Sequence, residues 1–118
     1  MTPLLFLAAA LAGGVGAALR YLADLGVARL AGRRFPWGIV LVNITGSFAL
    51  GLAMGLAPDA LFLVGAGLLG GYTTFSTAMF DTVALWRDGA RAASVAHVLG
   101  TFALSVLAAL VGLALAAL

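Results

Sequence analysis

Between Ala60 and Trp86 the chain carries an apolar run long enough to cross a bilayer, but the middle of that run reads Gly70-Gly71-Tyr72-Thr73-Thr74-Phe75-Ser76-Thr77. Paired glycine weakens a helix through backbone entropy, and the adjoining Thr-Thr weakens it again because β-branched side chains lose χ1 freedom. The pattern predicts that the backbone unwinds for about a turn near 70–77. In hydrocarbon, unwound backbone survives only where it lines a cavity or is buried in protein. The stretch is therefore read as a functional break, and the other segments as helices placed around it.

Composition fixes the solvent. Of 118 residues, 64% are apolar and 8% charged, with a mean hydropathy of +1.21, far from the range of a soluble domain. The expected fold class is an all-α membrane protein, a single integral membrane domain over 1–118. Its four transmembrane helices fall at about 3–30, 37–57, 60–86 and 92–118, the third broken near 70–77. So small a bundle buries little surface by itself, and an oligomer is expected. Cysteine is absent, which removes disulfides, thiolate metal sites and thiol nucleophiles. The basic residues are all Arg and the acidic ones all Asp. The Arg residues gather mainly in two loops, which points to membrane topology and headgroup contact rather than nucleic acid. No Lys or Arg precedes the apolar run from Leu4, and that run outlasts a signal peptide, so it is expected to be a retained helix.

Each segment carries a small polar inventory. In the first, Gly13, Gly16 or Ala17, Arg20 and Asp24 share a helical face. Two readings fit Arg20: snorkelling to headgroups, or facing a watery vestibule where it attracts anions, tempered by Asp24 one turn on. In the second segment Asn43, Ser47, Gly51 and Gly55 fall at four-residue steps. Its small half reads as close helix packing. Asn43 is costly in hydrocarbon unless bonded, and either a helix-to-helix bond or a ligand contact would satisfy it. In the fourth, His97, Thr101 and Ser105 are four apart and form a stripe expected to line a polar path.

These groups make poor catalysts. There is no Cys, no Glu, one His and no paired acids within a segment, so an intramembrane enzyme is not expected. A proton-coupled exporter would need Asp24 or Asp81, which lie near segment ends, and a non-transporting scaffold would use the polar stripe only as glue. The remaining set, Asn43, Ser47, Thr73, Thr74, Ser76, Thr77, Thr101 and Ser105, consists of uncharged donors, which suit a small, strongly hydrated anion. Aromatic edges can assist because the ring quadrupole leaves them positive. Carbonyls freed at the break suit a cation instead.

Gly13-Gly14-Val15-Gly16-Ala17 with Arg20-Tyr21, Trp37-Gly38 through Val42-Asn43-Ile44-Thr45-Gly46, and the 70–77 string together resemble the bacterial fluoride channel family called Fluc or CrcB, over essentially the whole chain. The resemblance implies a fluoride-selective channel giving passive fluoride efflux across the cell (inner) membrane. It implies a four-helix subunit in an antiparallel homodimer, with a central structural Na+ held by carbonyls of the third-helix breaks. Carried over by position, Gly70 and Thr73 would supply those carbonyls. Asn43, Phe75, Ser76, Thr77, Thr101 and Ser105 would line the fluoride pore, and Arg20 would stand in the vestibule.

Two departures accompany the resemblance. Family members usually place a second phenylalanine where this chain has Ala78, and a methyl group offers no polarised edge. Arg29, Arg33, Arg34, Arg87 and Arg91 all fall at two loops on one side, which predicts a single orientation with both termini outside. An antiparallel homodimer requires insertion both ways, so the partner is expected to be either a second copy or an oppositely oriented paralogue.

Overall fold

The computed structural model describes residues 2–118 and is all-helical apart from its connections. Helix α1 runs Pro3–Ala31, with Pro at its first turn and Thr2 Oγ1 accepting from the Leu5 amide at 3.1 Å. It stops at Gly32, whose φ of 77° is costly for any residue with a Cβ. Helix α2 follows at Trp37–Leu56, and the Pro58–Ala60 turn leads into the third span.

That span is not one helix. It opens as a π-helix, Phe62–Leu69, passes through the single turn α3, Gly70–Tyr72, is interrupted over Thr73–Phe75 with the backbone extended at Thr73, and resumes as α4, Ser76–Arg87. The break is thus shorter than the sequence pattern implies, because the paired glycines stay helical and only the residues after them leave. Gly89, at φ 86°, turns the chain into α5, Arg91–Ala116. Among the described residues three helices, α1, α2 and α5, are long and apolar enough to cross a membrane.

Small residues set the approach of the spans. A Cβ on Gly51 would strike the Ala109 carbonyl and one on Gly112 the Phe48 carbonyl, so α2 and α5 meet backbone to backbone. This is the close packing that the small end of the α2 face predicts. Across the bundle Gly71 sits equally tight on Gly13 of α1.

The bundle is turned inside out relative to a soluble protein. Leu4, Leu30, Phe80, Leu99, Phe102 and Leu110 lie largely exposed, whereas Asn43, Ser94, His97 and Thr101 are buried. That inversion is what a hydrocarbon solvent demands: apolar groups outward, polar groups paired or grouped within.

Candidate functional site

The break is held open by one side chain. Asn43 Nδ2 donates to the Thr74 carbonyl and the Thr74 amide donates to Asn43 Oδ1, both at 2.9 Å. A backbone amide only donates and a carbonyl only accepts, so this pairing fixes which end of the Asn43 amide is which. Of the two readings of Asn43, the helix-to-helix bond is therefore present. One Nδ2 hydrogen is left over, on a buried residue that also lines a cavity.

The same bonds free two carbonyls. In an unbroken helix the Thr74 amide would bond to the Gly70 carbonyl and the Thr77 amide to the Thr73 carbonyl. Here Thr74 N–H goes to Asn43, and Thr77 N–H goes to Thr74 Oγ1 at 3.1 Å. Gly70 and Thr73 thus lose their helical partners together, at the start of the break.

Below them lies a cavity of about 490 Å³ bounded by α2, the broken span and α5. Asn43, Gly70, Thr73, Phe75, Thr101 and Ser105 all border it. Thr101 Oγ1 and Ser105 Oγ are buried with no hydrogen-bond partner, and so is His97 Nε2, one turn further up the same stripe. A buried polar atom without a partner costs about 1–3 kcal/mol. Three of them on one cavity wall mark a surface built to be occupied by something polar. Phe75 borders the cavity while remaining 78% exposed in the isolated subunit, and Phe102 does the same at 72%. Ala78 is buried at the position lacking an aromatic, and also touches the cavity.

Other expected site residues lie elsewhere. Ser76 is exposed and borders neither cavity, and Arg20 is half-buried away from both. Thr77 opens on a smaller cavity of about 240 Å³ that also receives Asp24, Asp81 and Arg33. Asp24 does not pair with Arg20 as the spacing invites. Its partner is Arg33, at 3.8 Å from the loop after α1.

His97 and Phe102 also border the cavity. The four-residue spacing already aligns His97 with Thr101 and Ser105, but its burial depends on Phe35, whose ring meets the imidazole edge-on at 5.5 Å. That contact comes from a loop and leaves no periodic signal. Phe102 follows Thr101 directly, and spacing alone puts it on the lipid side of the stripe.

Three unbroken spans around a broken one, with uncharged donors facing a shared cavity, define a small multi-pass membrane protein. The chain belongs to the CrcB family: the family described as CrcB-like protein, Camphor Resistance (CrcB), matches residues 7–113. It is 42% identical over 113 residues to the fluoride-specific ion channel FluC of Chelativorans sp. (strain BNC1), covering 90% of each chain. It is also 42% identical over 114 residues to fluoride-specific ion channel FluC 2 of Mycobacterium tuberculosis (strain ATCC 25618 / H37Rv), covering 95% of this chain and 90% of that one. With FluC of Rhodospirillum centenum (strain ATCC 51521 / SW) it shares 42% identity over 118 residues, covering 94% of both.

Proposed function

We propose that the chain forms a fluoride-selective channel that lets fluoride leave the cell passively across the inner membrane and so confers fluoride resistance. The names of its relatives favour this reading. The observation that carries it is the cavity wall on which Thr101 Oγ1 and Ser105 Oγ lie buried and unpartnered opposite Asn43. Fluoride is small and tightly hydrated, so a pore must replace its water with donors at short range, which neutral hydroxyls and an amide provide without trapping the ion. No charged side chain borders that cavity. A multivalent or basic transport substrate would find no counter-charge in it.

In this reading the free hydrogen of Asn43 and the hydroxyls of Thr101 and Ser105 bind the ion in turn, and the Phe75 edge adds a weakly positive contact at the mouth. Ser76 and Thr77, which turn away from the cavity of a single subunit, contribute where a second subunit meets the break. Arg20 raises the local anion concentration at the vestibule. The assembly is an antiparallel dimer, either of two copies or with an oppositely oriented paralogue, and the exposed Phe75 and Phe102 are the surfaces it covers. The released Gly70 and Thr73 carbonyls fit a hard monovalent cation such as Na+, whose contribution is a fixed positive charge that ties the breaks together.

The test is fluoride efflux from liposomes containing the purified protein, read with a fluoride electrode against a chloride control. Rapid fluoride release without matching chloride release is expected. Equal release of both ions, or none with or without a co-expressed partner, would refute the assignment.

A further inference from the structure

The uppermost polar atom of the α5 stripe belongs to the only histidine in the chain, His97. The ring is 1% exposed, and its Nε2 is buried without a partner on the residue that borders the cavity above Thr101. Its other nitrogen determines where its proton sits. Nδ1 lies 2.8 Å from Thr82 Oγ1, and that hydroxyl already donates to the Ala78 carbonyl at 2.8 Å. A hydroxyl has one hydrogen, so Thr82 Oγ1 can only accept from the imidazole. Thr82 is held in turn by Ser94, whose Oγ donates to the Thr82 carbonyl at 2.6 Å. Nδ1 therefore carries the proton. In the neutral ring Nε2 is then left with a bare, unpartnered lone pair on a residue that borders the cavity.

A lone pair repels an anion, whereas a protonated Nε2 offers a charged donor in line with two hydroxyls. We propose that His97 is a proton-controlled subsite of the conduction path, closing the upper end of the α5 stripe to anions when neutral and binding them when protonated at Nε2. This rests on the channel reading.

The surroundings leave few other groups to compete for that role. Helix α5 packs against α2 and α4. Helix α2 carries no ionisable side chain, and α4 carries Asp81 and Arg87. Asp81 borders the smaller cavity together with Asp24 of α1. From the loop before α2 the ring meets Phe35, while the neighbouring Arg33 pairs with Asp24. Arg34 of that loop is exposed, as is Arg91 at the start of α5 itself.

The experiment is fluoride efflux from proteoliposomes at matched internal and external pH, with the potential clamped by potassium and valinomycin and the protein-free leak subtracted at each pH. Flux should rise about tenfold or more as the pH is lowered from about 8 to about 5 and the ring takes up its second proton. His97→Gln keeps an uncharged donor at every pH and should be flat within about twofold. Flux that is present but independent of pH, or a pH response that survives in His97→Gln, overturns the inference. Absence of flux at every pH overturns the channel reading instead. Should His97→Gln fail to fold, 15N-histidine NMR of the wild-type protein decides the matter through its one ring. A neutral form protonated at Nδ1 and a fluoride-dependent shift at Nε2 are expected, and a neutral form protonated at Nε2 overturns the proposal.

Discussion

The two cavities of this bundle differ in charge more than in size. The larger is bordered by an amide, hydroxyls, a histidine and aromatic rings, with no carboxylate and no guanidinium. The smaller gathers Asp24, Asp81 and Arg33 under the loop before α2. The difference follows from depth. Near a segment end a charge can reach water or a loop partner, as Asp24 reaches Arg33. Deeper in the bilayer a fixed charge is expensive, so selectivity there has to be built from dipoles. In the proposed reading the neutral cavity selects the ion and the charged one orients a loop.

That contrast breaks most sharply at Asn43. Asn43→Ala removes both bonds to the Thr74 peptide and the spare donor together. It should destabilise the fold by about 2–4 kcal/mol and lower fluoride flux about a hundredfold, checked by thermal unfolding in detergent and by the electrode assay. Phe75→Ile comes next: transport should be abolished with the subunit fold intact by thermal unfolding, since the side chain is mostly exposed in one subunit and holds little of its core. A mutant that conducts normally would remove Phe75 from the pore. Thr101→Val with Ser105→Ala separates function from folding. Flux should fall about tenfold to a hundredfold. The melting temperature should hold or rise, because the lost hydroxyls bond to nothing in the protein. A drop in stability matching the drop in flux would mean that the stripe is structural after all. The smallest effect belongs to the charged cavity. The Asp24–Arg33 pair is half-open to solvent, so Asp24→Asn should cost under about 1 kcal/mol and change flux less than about twofold. A large loss of flux there would erase the distinction between the two cavities.

Much of this arrangement was legible in the residues. Gly70-Gly71 before Thr73-Thr74 locates the break because local propensity and burial conflict there, and tertiary contacts sharpen it only to Thr73–Phe75. The stripe is legible because helical periodicity aligns positions four apart without help from the rest of the fold. The π-helix Phe62–Leu69 is not. Its residues, Phe-Leu-Val-Gly-Ala-Gly-Leu-Leu, are uniformly apolar or small, so a widened turn leaves no change of pattern to read. The roles of Ser76 and Thr77 are equally hidden: they adjoin Phe75, but the chain re-enters a helix at Ser76 and rotates both away from the cavity that Phe75 borders. The choice of Arg33 over Arg20 as the partner of Asp24 depends on where a loop folds back, which no helical wheel encodes.

The ring of two hydrogen bonds between Asn43 and the Thr74 peptide also limits which letters position 43 can spell. Aspartate has nearly the same shape, yet exchanging one nitrogen for an oxygen would set a carboxylate against the Thr74 carbonyl, lone pair to lone pair. Glutamine keeps the right head group but adds a methylene that moves it out of register. By ordinary substitution tables these two neighbours are the mildest changes available. At this site they are among the harshest, and few sequence paths lead away from asparagine without passing through a chain that cannot hold its third span open.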